Sequence, residues 1–303
     1  MPRTRAIWRQ VGHFLDAAAF VWIAALCSLA TLWGAPAQAQ TVTRPQAQAT
    51  TQVQAPAGIQ PQAERQGPPA LEIPAPLAGQ QERLIYHTGY TVSYNAAWRL
   101  PNWVAYELTP EETSGPAKRA DRFVPDPTVP FHETAGTDDY RHSGFDRGHM
   151  APAGDMKWSE QAMRESFYLS NICPQHPALN RGIWKRLEET VRRLAATRGS
   201  VYVVCGPLAA DTARRLGGIG DRSGGQGVAV PHGFFKALLQ YADGRWAAVA
   251  FTFDNAGSEK PLSDHTLTID SLEILTGFDF FPTLPDSVET AVERETDPTW
   301  WGL

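Results

Sequence analysis

The sequence Phe-Asp-Arg-Gly-His-Met-Ala-Pro-Ala-Gly-Asp, at residues 145–155, decides how the rest of this 303-residue chain is interpreted. Imidazole has an unperturbed pKa close to neutrality, so His149 is a candidate general base. Gly148 permits close backbone approach, Asp146 can orient a polar neighbour, and Arg147 can face a phosphate. A buried histidine with an ordinary hydrogen bond is the simpler alternative, which this cluster alone does not exclude.

Two downstream segments extend the cluster. They read Leu-Ser-Asn-Ile-Cys-Pro-Gln at residues 169–175 and Asn-Arg-Gly-Ile-Trp-Lys-Arg-Leu-Glu at residues 180–188. Asn180 stands at the predicted start of a long helix, and Glu188 follows about 12 Å along its axis. Because helical side chains lean toward the N-terminus, Glu188 can hold a water that binds a metal on the Asn180 amide oxygen. Taken singly, the two residues are as readily a helix cap and a surface acid.

In this order the segments resemble the DNA/RNA non-specific endonuclease family, the endonuclease G-like nucleases with a ββα-metal site. The resemblance extends over about residues 84–281. It implies a Mg²⁺-dependent hydrolase of DNA and RNA phosphodiesters without sequence preference, in which Mn²⁺ or another divalent cation can substitute. Hard oxygen ligands with waters and phosphates are the environment that Mg²⁺ prefers. The resemblance also makes a homodimer and a protein inhibitor candidate partners.

The resemblance assigns roles to individual residues. It implies that His149 is the general base, that Asn180 binds the metal directly and that Glu188 holds metal-bound water. The supporting residues that it implies are Asn171, Asp146 and Arg147.

An upstream arginine that stabilises developing charge is also implied by the resemblance. It corresponds best to Arg122, in Asp-Arg-Phe-Val-Pro-Asp-Pro at residues 121–127. Arg119 lies three residues earlier and remains the alternative.

Charge is unevenly distributed along the chain. The formal net charge is −5, and without residues 1–39 it becomes −7, with 24 Lys and Arg against 31 Asp and Glu. An acidic protein is a poor passive coat for nucleic acid, because such binding needs many cations facing phosphate. Residues 141–200, however, hold ten Lys and Arg against six Asp and Glu, whereas residues 270–303 hold eight acids and one Arg. Contact with a polyanion is therefore expected to be local.

The N-terminus predicts export. Three arginines precede an apolar run at residues 17–33, and Ala-Gln-Ala at residues 37–39 is a small-residue cleavage site. We expect a signal peptide at residues 1–39 and a periplasmic or secreted protein, with membrane anchoring by residues 17–34 as the alternative. Residues 40–79 are rich in Gln, Ala and Pro and predict a disordered linker.

Hydrophobic periodicity predicts an α+β domain at residues 80–285, with a largely antiparallel central sheet flanked by helices and an acidic tail at residues 286–303. The predicted strands are 83–87, 90–94, 103–108, 168–172, 201–205, 234–241 and 246–253, the last two joined by an Asp-Gly turn. The predicted helices are one of about 160–167 capped by Ser159, one from Asn180 to before Gly199, and one with Asp270 and Glu273 in a capping box that stops at Gly277.

Several points stay open at this stage. Cys173 and Cys205 can form a disulfide or remain buried thiols. A Gly-rich segment at residues 217–227 fits a flexible loop near a substrate groove and equally a plain surface loop. A catalytically idle nucleic-acid-binding protein on the same fold, and a hydrolase of other phosphodiesters, are the rival functions.

Overall fold

The structure, a computed structural model, describes residues 70–76, 82–208, 219–220 and 227–303. Seven antiparallel strands form one sheet in the order β1-β2-β3-β6-β7-β8-β9, and β4 and β5 form a separate antiparallel pair. The strands are β1 (Arg83–Tyr86), β2 (Thr91–Asn95), β3 (Leu100–Leu108), β4 (Asp146–His149), β5 (Ile172–Gln175), β6 (Val201–Leu208), β7 (Gly233–Ala242), β8 (Arg245–Asp254) and β9 (Thr266–Leu267). The α-helices are α1 (Glu160–Glu165), α2 (Trp184–Arg198), α3 (Ile269–Thr276) and α4 (Asp286–Arg294). The predicted class, α+β with a largely antiparallel sheet flanked by helices, is confirmed.

The central hairpin β7–β8 forms as the sequence predicts. Its two ten-residue strands pair without interruption from Gly233 and Asp254 to Ala242 and Arg245. The turn residues Asp243 and Gly244 both have positive φ, 55° and 77°. Two consecutive positive φ angles match the right-handed twist of the strands, which is why Asp-Gly is favoured here.

Both faces of the main sheet are covered, so its central strands are apolar on both sides. On one face Phe234 and Leu238 of β7 belong to the same buried cluster as the apolar residues of α2. On the other face Phe235 and Ala237 pack with residues of α3 and α4. Since strand side chains alternate, Lys236 lies on the α2 face, although it is a charged residue in an otherwise apolar run.

The strand predicted at residues 168–172 is wrong in position. Residues Leu169–Asn171 form a 3₁₀ turn, and β5 begins only at Ile172. The physical reason is that the Asn171 side chain bonds the backbone of Ala151 and Ser166 instead of pointing out of a strand. β5 then pairs with β4 so that His149 lies opposite Ile172.

The long helix starts four residues later than predicted. Asn180 lies in a π-helical turn, Leu179–Ile183, and the regular helix α2 begins at Trp184. Gly182 leaves the helical region within this turn, with φ −105° and ψ −112°. The spacing of a straight helix therefore does not apply between Asn180 and Glu188. The predicted end is confirmed, because α2 stops before Gly199 at φ 100°.

The C-terminal elements differ from the sequence prediction in two respects. Helix α3 is capped by Thr268, whose hydroxyl accepts a hydrogen bond from the Ser271 N–H, and not by Asp270; its end at Gly277 is as predicted. Residues 286–303 were expected to form an acidic tail, but they include α4 and a turn whose Trp301 is buried. Burial of its apolar side chains holds this acidic segment on the domain.

Some expectations fall outside the part of the chain that is described. They are the signal at residues 1–39, most of the linker at 40–79, the anchor at 17–34 and most of the Gly-rich segment at 217–227. Among the described residues we find no helix both long and apolar enough to cross a membrane. Cys173 and Cys205 are buried free thiols, which settles the open choice against a disulfide.

Asp126 connects the loop that precedes β4 to the turn that precedes β5 through hydrogen bonds. Its carboxylate accepts hydrogen bonds from His87 Nε2 at 3.0 Å, from Ser170 Oγ at 2.5 Å and from the N–H and hydroxyl of Thr128. Burial alone would raise the pKa of Asp126, but the hydrogen bonds and the charge of His87 lower it overall. The network joins three segments that are distant in sequence.

We expect Asp126→Asn to lower the free energy of unfolding by about 2 kcal/mol, because His87 and Ser170 lose an ionised acceptor. Urea unfolding followed by circular dichroism measures the change. Asp264→Asn, at an exposed acid, serves as the control and should leave the midpoint unchanged. Equal midpoints for both variants would contradict this role of Asp126.

Candidate active site

His149 lies at the end of β4 in an aromatic enclosure. Its ring centroid is 4.9 Å from that of Phe167 and 5.4 Å from that of Phe123. The side-chain Nε2 is buried and has no hydrogen-bond partner among the described residues. Burial, reinforced by the nearby charge of Arg119, lowers the pKa of His149 to about 3. The imidazole is therefore neutral near pH 7 and has a nitrogen lone pair available to accept a proton.

Asn171 fixes the backbone that follows His149. Its Oδ1 accepts a hydrogen bond from the Ala151 N–H at 2.8 Å, and its Nδ2 donates to the carbonyls of Ala151 and Ser166. Its own carbonyl accepts a bond from the Met150 N–H. Because these bonds occupy the whole amide group, Asn171 supports the site and is not free to contact a ligand.

Asp146 joins β4 to the π-helical turn. Its carboxylate accepts two hydrogen bonds from Arg181, at 2.6 and 2.7 Å, and one from Asn180 Nδ2 at 2.9 Å. Burial would raise the pKa of Asp146, but the bonds from Arg181 and Asn180 lower it overall. Asp146 thus stays ionised and holds the amide nitrogen of Asn180 on one side.

The donor set at Asn180 fits a hard divalent cation. With Nδ2 bonded to Asp146, Oδ1 of Asn180 is directed away from that carboxylate and remains available as a ligand. Asn180 is also not used as a helix cap, since α2 has no side-chain cap. One amide oxygen completed by waters and substrate phosphate is a coordination that Mg²⁺ accepts.

Glu188 lies one turn after Trp184 on α2, in a largely desolvated environment. Burial and repulsion from Asp155 raise the pKa of Glu188 to about 7, although Lys236 and Arg192 act in the opposite direction. Trp184 connects this region to His149, because its indole Nε1 donates to the carbonyl of His149 at 3.3 Å.

The arginines predicted from the motif have different surroundings. Arg147 donates to the Thr137 carbonyl at 2.8 Å and lies against the rings of Phe123 and Tyr140. Arg122 is exposed, as is Arg119, and no hydrogen bond or ion pair of Arg122 is found within the described ranges. Arg119, the alternative, lies 5.1 Å from the centre of the Phe167 ring, and its charge acts on His149.

Sequence reasoning missed several participants. Arg181 belongs to the segment 180–188, but nothing in its position along the chain indicates that it pairs with Asp146. Gly148 is different, because the sequence already suggests a close backbone approach there, and a Cβ at this position would clash with the Gln175 side chain. A lysine in the middle of the apolar strand β7, Lys236, was the one signal that could have marked a buried polar layer.

The lowered pKa of His149 predicts a pH-dependent stability. In the unfolded chain a histidine takes up a proton near pH 6.5, whereas folded His149 resists it down to about pH 3. The free energy of unfolding should therefore fall as pH decreases through this window, by about 1.4 kcal/mol per pH unit from this residue. Denaturant unfolding at pH 7, 6 and 5 should show a steeper loss in the wild type than in His149→Gln. Parallel curves would rule out this linkage.

Comparison with known proteins finds related nucleases. Nuclease EXOG, mitochondrial, of Danio rerio is 40% identical over 219 residues, which are 69% of this chain and 63% of the relative. Endonuclease G, mitochondrial, of Homo sapiens is 37% identical over 202 residues, 64% of this chain and 68% of the relative. The chain spans 59 to 63% of the length of the EXOG relatives.

The names of these relatives contradict the expected location. EXOG and endonuclease G, like a mitochondrial nuclease of Saccharomyces cerevisiae that is 36% identical over 67% of both chains, are mitochondrial proteins. The expectation of an exported, periplasmic or secreted protein is wrong on this finding. Arginines with few acids at the N-terminus are typical of mitochondrial transit peptides as well as of signal peptides, so this charge pattern does not separate them.

A solved structure and a family model agree with the relatives. The crystal structure of an EndoG/EndoGI complex, described as showing the mechanism of EndoG inhibition, contains a chain that matches with a TM-score of 0.60 and 30% identity, covering 68% of this chain and 89% of the solved one. The family model described as DNA/RNA non-specific endonuclease matches residues 67–287. As the motifs around His149 predict, this chain belongs to the DNA/RNA non-specific endonuclease family.

Proposed function

We propose that this protein is a Mg²⁺-dependent endonuclease that hydrolyses phosphodiester bonds of DNA and RNA without sequence preference. The observation that carries the proposal is the neutral, buried imidazole of His149, whose Nε2 has no partner among the described residues. On the same strand, Asp146 holds Asn180 with its amide oxygen free. A proton acceptor and a hard oxygen ligand are the two groups that metal-assisted hydrolysis requires of the protein.

In the proposed reaction His149 takes a proton from water, and the resulting hydroxide attacks phosphorus. The bond from phosphorus to the 3′ oxygen breaks, and its electron pair leaves with that oxygen, which gives a 5′-phosphate. Asn180 would hold a divalent cation, which when bound would supply positive charge to the phosphate and the leaving oxygen. Glu188 would accept hydrogen bonds from a water molecule next to Asn180. An arginine would neutralise the remaining phosphate charge.

The low pKa of His149 is compatible with this role. The pKa of His149 is about 3 in the protein without substrate, where burial and the nearby charge of Arg119 lower it. A phosphate anion next to the imidazole favours its protonated form and raises the pKa toward the operating pH. Substrate would thereby strengthen the base at the moment when it is needed.

Substrate range and assembly follow from the same site and from the relatives. Contacts to phosphate carry no base information, so both DNA and RNA are proposed substrates. Binding of a protein inhibitor is supported by the solved EndoG/EndoGI complex. A homodimer also remains a proposal, and the names of the relatives support a mitochondrial location.

The first test is nicking of supercoiled plasmid by the full chain with Mg²⁺ or with EDTA. We expect the wild type to nick only with metal, His149→Ala to be inactive although it still binds DNA, and Asn180→Ala to need more Mg²⁺ for the same initial rate. Turnover by His149→Ala would overturn its assignment as base. A folded wild type that binds DNA without cutting it would favour the idle-binder alternative, and cleavage of small diesters alone would favour another phosphodiesterase.

The identity of the charge-stabilising arginine is tested separately. Both arginines are exposed, and we propose Arg119 because it lies against Phe167 and its charge acts on His149, whereas no such contact is found for Arg122 among the described residues. Arg119→Gln should lower kcat about 100-fold, comparable to the loss of one charge-stabilising donor, and the matched variant Arg122→Gln should change it less than threefold. The opposite ranking of the two variants would return the role to Arg122.

A further inference from the structure

Lys236 is a fully buried lysine that the proposed reaction does not yet use. It lies in the middle of β7 with no exposed surface, and its Nζ has no oxygen or nitrogen hydrogen-bond partner in the described part of the chain, although the Cys205 thiol of the paired strand lies beside it. Burial of an ammonium group without a hydrogen bond is costly, so proteins seldom retain one without compensation. The compensation must come from charges and rings on the elements that pack against β7.

Helix α2 provides the surface that faces Lys236. Trp184, Glu188 and Arg192 follow one another at intervals of four residues and so share one face of the helix. The Lys236 ammonium lies 4.6 Å from the centre of the Trp184 ring. The position of Lys236 is further fixed by the β6–β7 pairing, in which it is opposite Cys205.

The remaining charges of this layer come from Asp155. Its carboxylate is fully buried, accepts a hydrogen bond from Arg192 at 2.6 Å and another from the Tyr106 hydroxyl at 2.9 Å. The layer therefore contains two carboxyl groups, those of Asp155 and Glu188, and two cations, Lys236 and Arg192. Arg192 is hydrogen-bonded to Asp155, whereas the charge of Lys236 acts on both carboxyl groups and has a larger effect on Glu188 than Arg192 has.

We propose that Lys236 is a positioning residue, whose buried ammonium holds the Trp184 ring and the Glu188 carboxylate in the arrangement that hydrolysis requires. Through Trp184 the effect reaches the base, since the indole donates to the His149 carbonyl. Through Glu188 the effect of Lys236 reaches the water molecule that this carboxylate is proposed to hold next to Asn180, and this part rests on the proposed function. Lys236 itself contacts neither substrate nor metal in this scheme.

Electrostatics support this assignment. Lys236 is the largest influence that lowers the pKa of Glu188, against burial and Asp155. The groups whose electrostatics are coupled to Glu188 are Asp155, Arg192, Lys236, Trp184, Tyr106 and Cys205. Without Lys236, Glu188 would face Asp155 with only Arg192 as a shared cation, and its carboxylate form would be disfavoured near pH 7.

The variant Lys236→Met tests the proposal, because it keeps a side chain of similar volume at this position and removes the ammonium group. A space-filling role predicts unchanged activity, since an apolar side chain of equal size packs well at a buried position. The positioning role predicts a kcat at pH 7 about tenfold lower, with KM unchanged and recovery toward the wild-type rate at pH 9, because Glu188 then needs a higher pH to ionise. Gln240→Met, on the same face of β7 but bonded to Gly199 at the far end, is the matched control and should keep the wild-type pH profile.

A second readout does not depend on activity. Carboxyl ¹³C NMR of the metal-free protein follows the ionisation of Glu188, assigned by its loss in Glu188→Gln. We expect its midpoint to rise by about one pH unit or more in Lys236→Met and to stay unchanged in Gln240→Met. An unshifted midpoint, or a loss of kcat equal at all pH values, would overturn the proposal even if the enzyme is a nuclease. A shifted midpoint in a protein that cuts no nucleic acid would instead uphold the charge pairing and reject the proposed function.

Misfolding of Lys236→Met would itself be informative. If an uncompensated Glu188 is the cause, the double variant with Glu188→Gln should regain the folded state. Continued misfolding of the double variant would overturn the pairing between the two residues.

Discussion

The neutralisation of a buried layer of charge is the constraint on which the site depends. Asp155, Glu188, Arg192 and Lys236 come from a turn, a helix and a strand that are far apart in the sequence. None of them can be buried alone at an acceptable cost, because an isolated ion in a low-dielectric interior loses its hydration. The sheet and α2 can therefore pack closely only if these side chains lie next to one another. In this arrangement the Trp184 indole donates a hydrogen bond to the His149 carbonyl.

Above this layer, the site is held by side chains that bond to backbone or to one another. Asn171 occupies its whole amide in fixing the backbone of Ala151, and Asp146 holds Asn180 and Arg181 together. Such bonds restrict the rotamers of the functional groups before any ligand arrives. Reorganisation on binding is reduced accordingly, and this favours catalysis by positioned groups.

The sequence carries the strong local signals and misses the contacts that arise only in three dimensions. The Asp243-Gly244 hairpin and the stops at Gly199 and Gly277 were predictable because each rests on local backbone geometry. The shift of β5 was not, because it depends on Asn171 bonding to a segment twenty residues away.

The same distinction applies to the site residues. His149 and Asn180 were found through the motif, whereas Arg181 acquires its role only through the π-helical turn that brings it to Asp146. The proposal of Arg119 in place of Arg122 likewise rests on the position of Phe167. Spacing along the chain does not encode such contacts.

The helices on the two faces of the main sheet come from segments of opposite charge. Helix α2 belongs to the segment in which Lys and Arg prevail, whereas α3 and α4 lie on the opposite face within the acidic C-terminal segment. The acidic character is concentrated enough that burial and the neighbouring Glu273, Glu289, Asp270 and Asp279 raise the pKa of Glu293 to about 7. Such a distribution of charge gives an electrostatic dipole across the sheet, which would turn the His149 side toward an approaching polyanion and repel it from the other side. Net negative charge is thus compatible with the proposed nucleic-acid substrates, and the rate of encounter would decrease as salt screens the dipole.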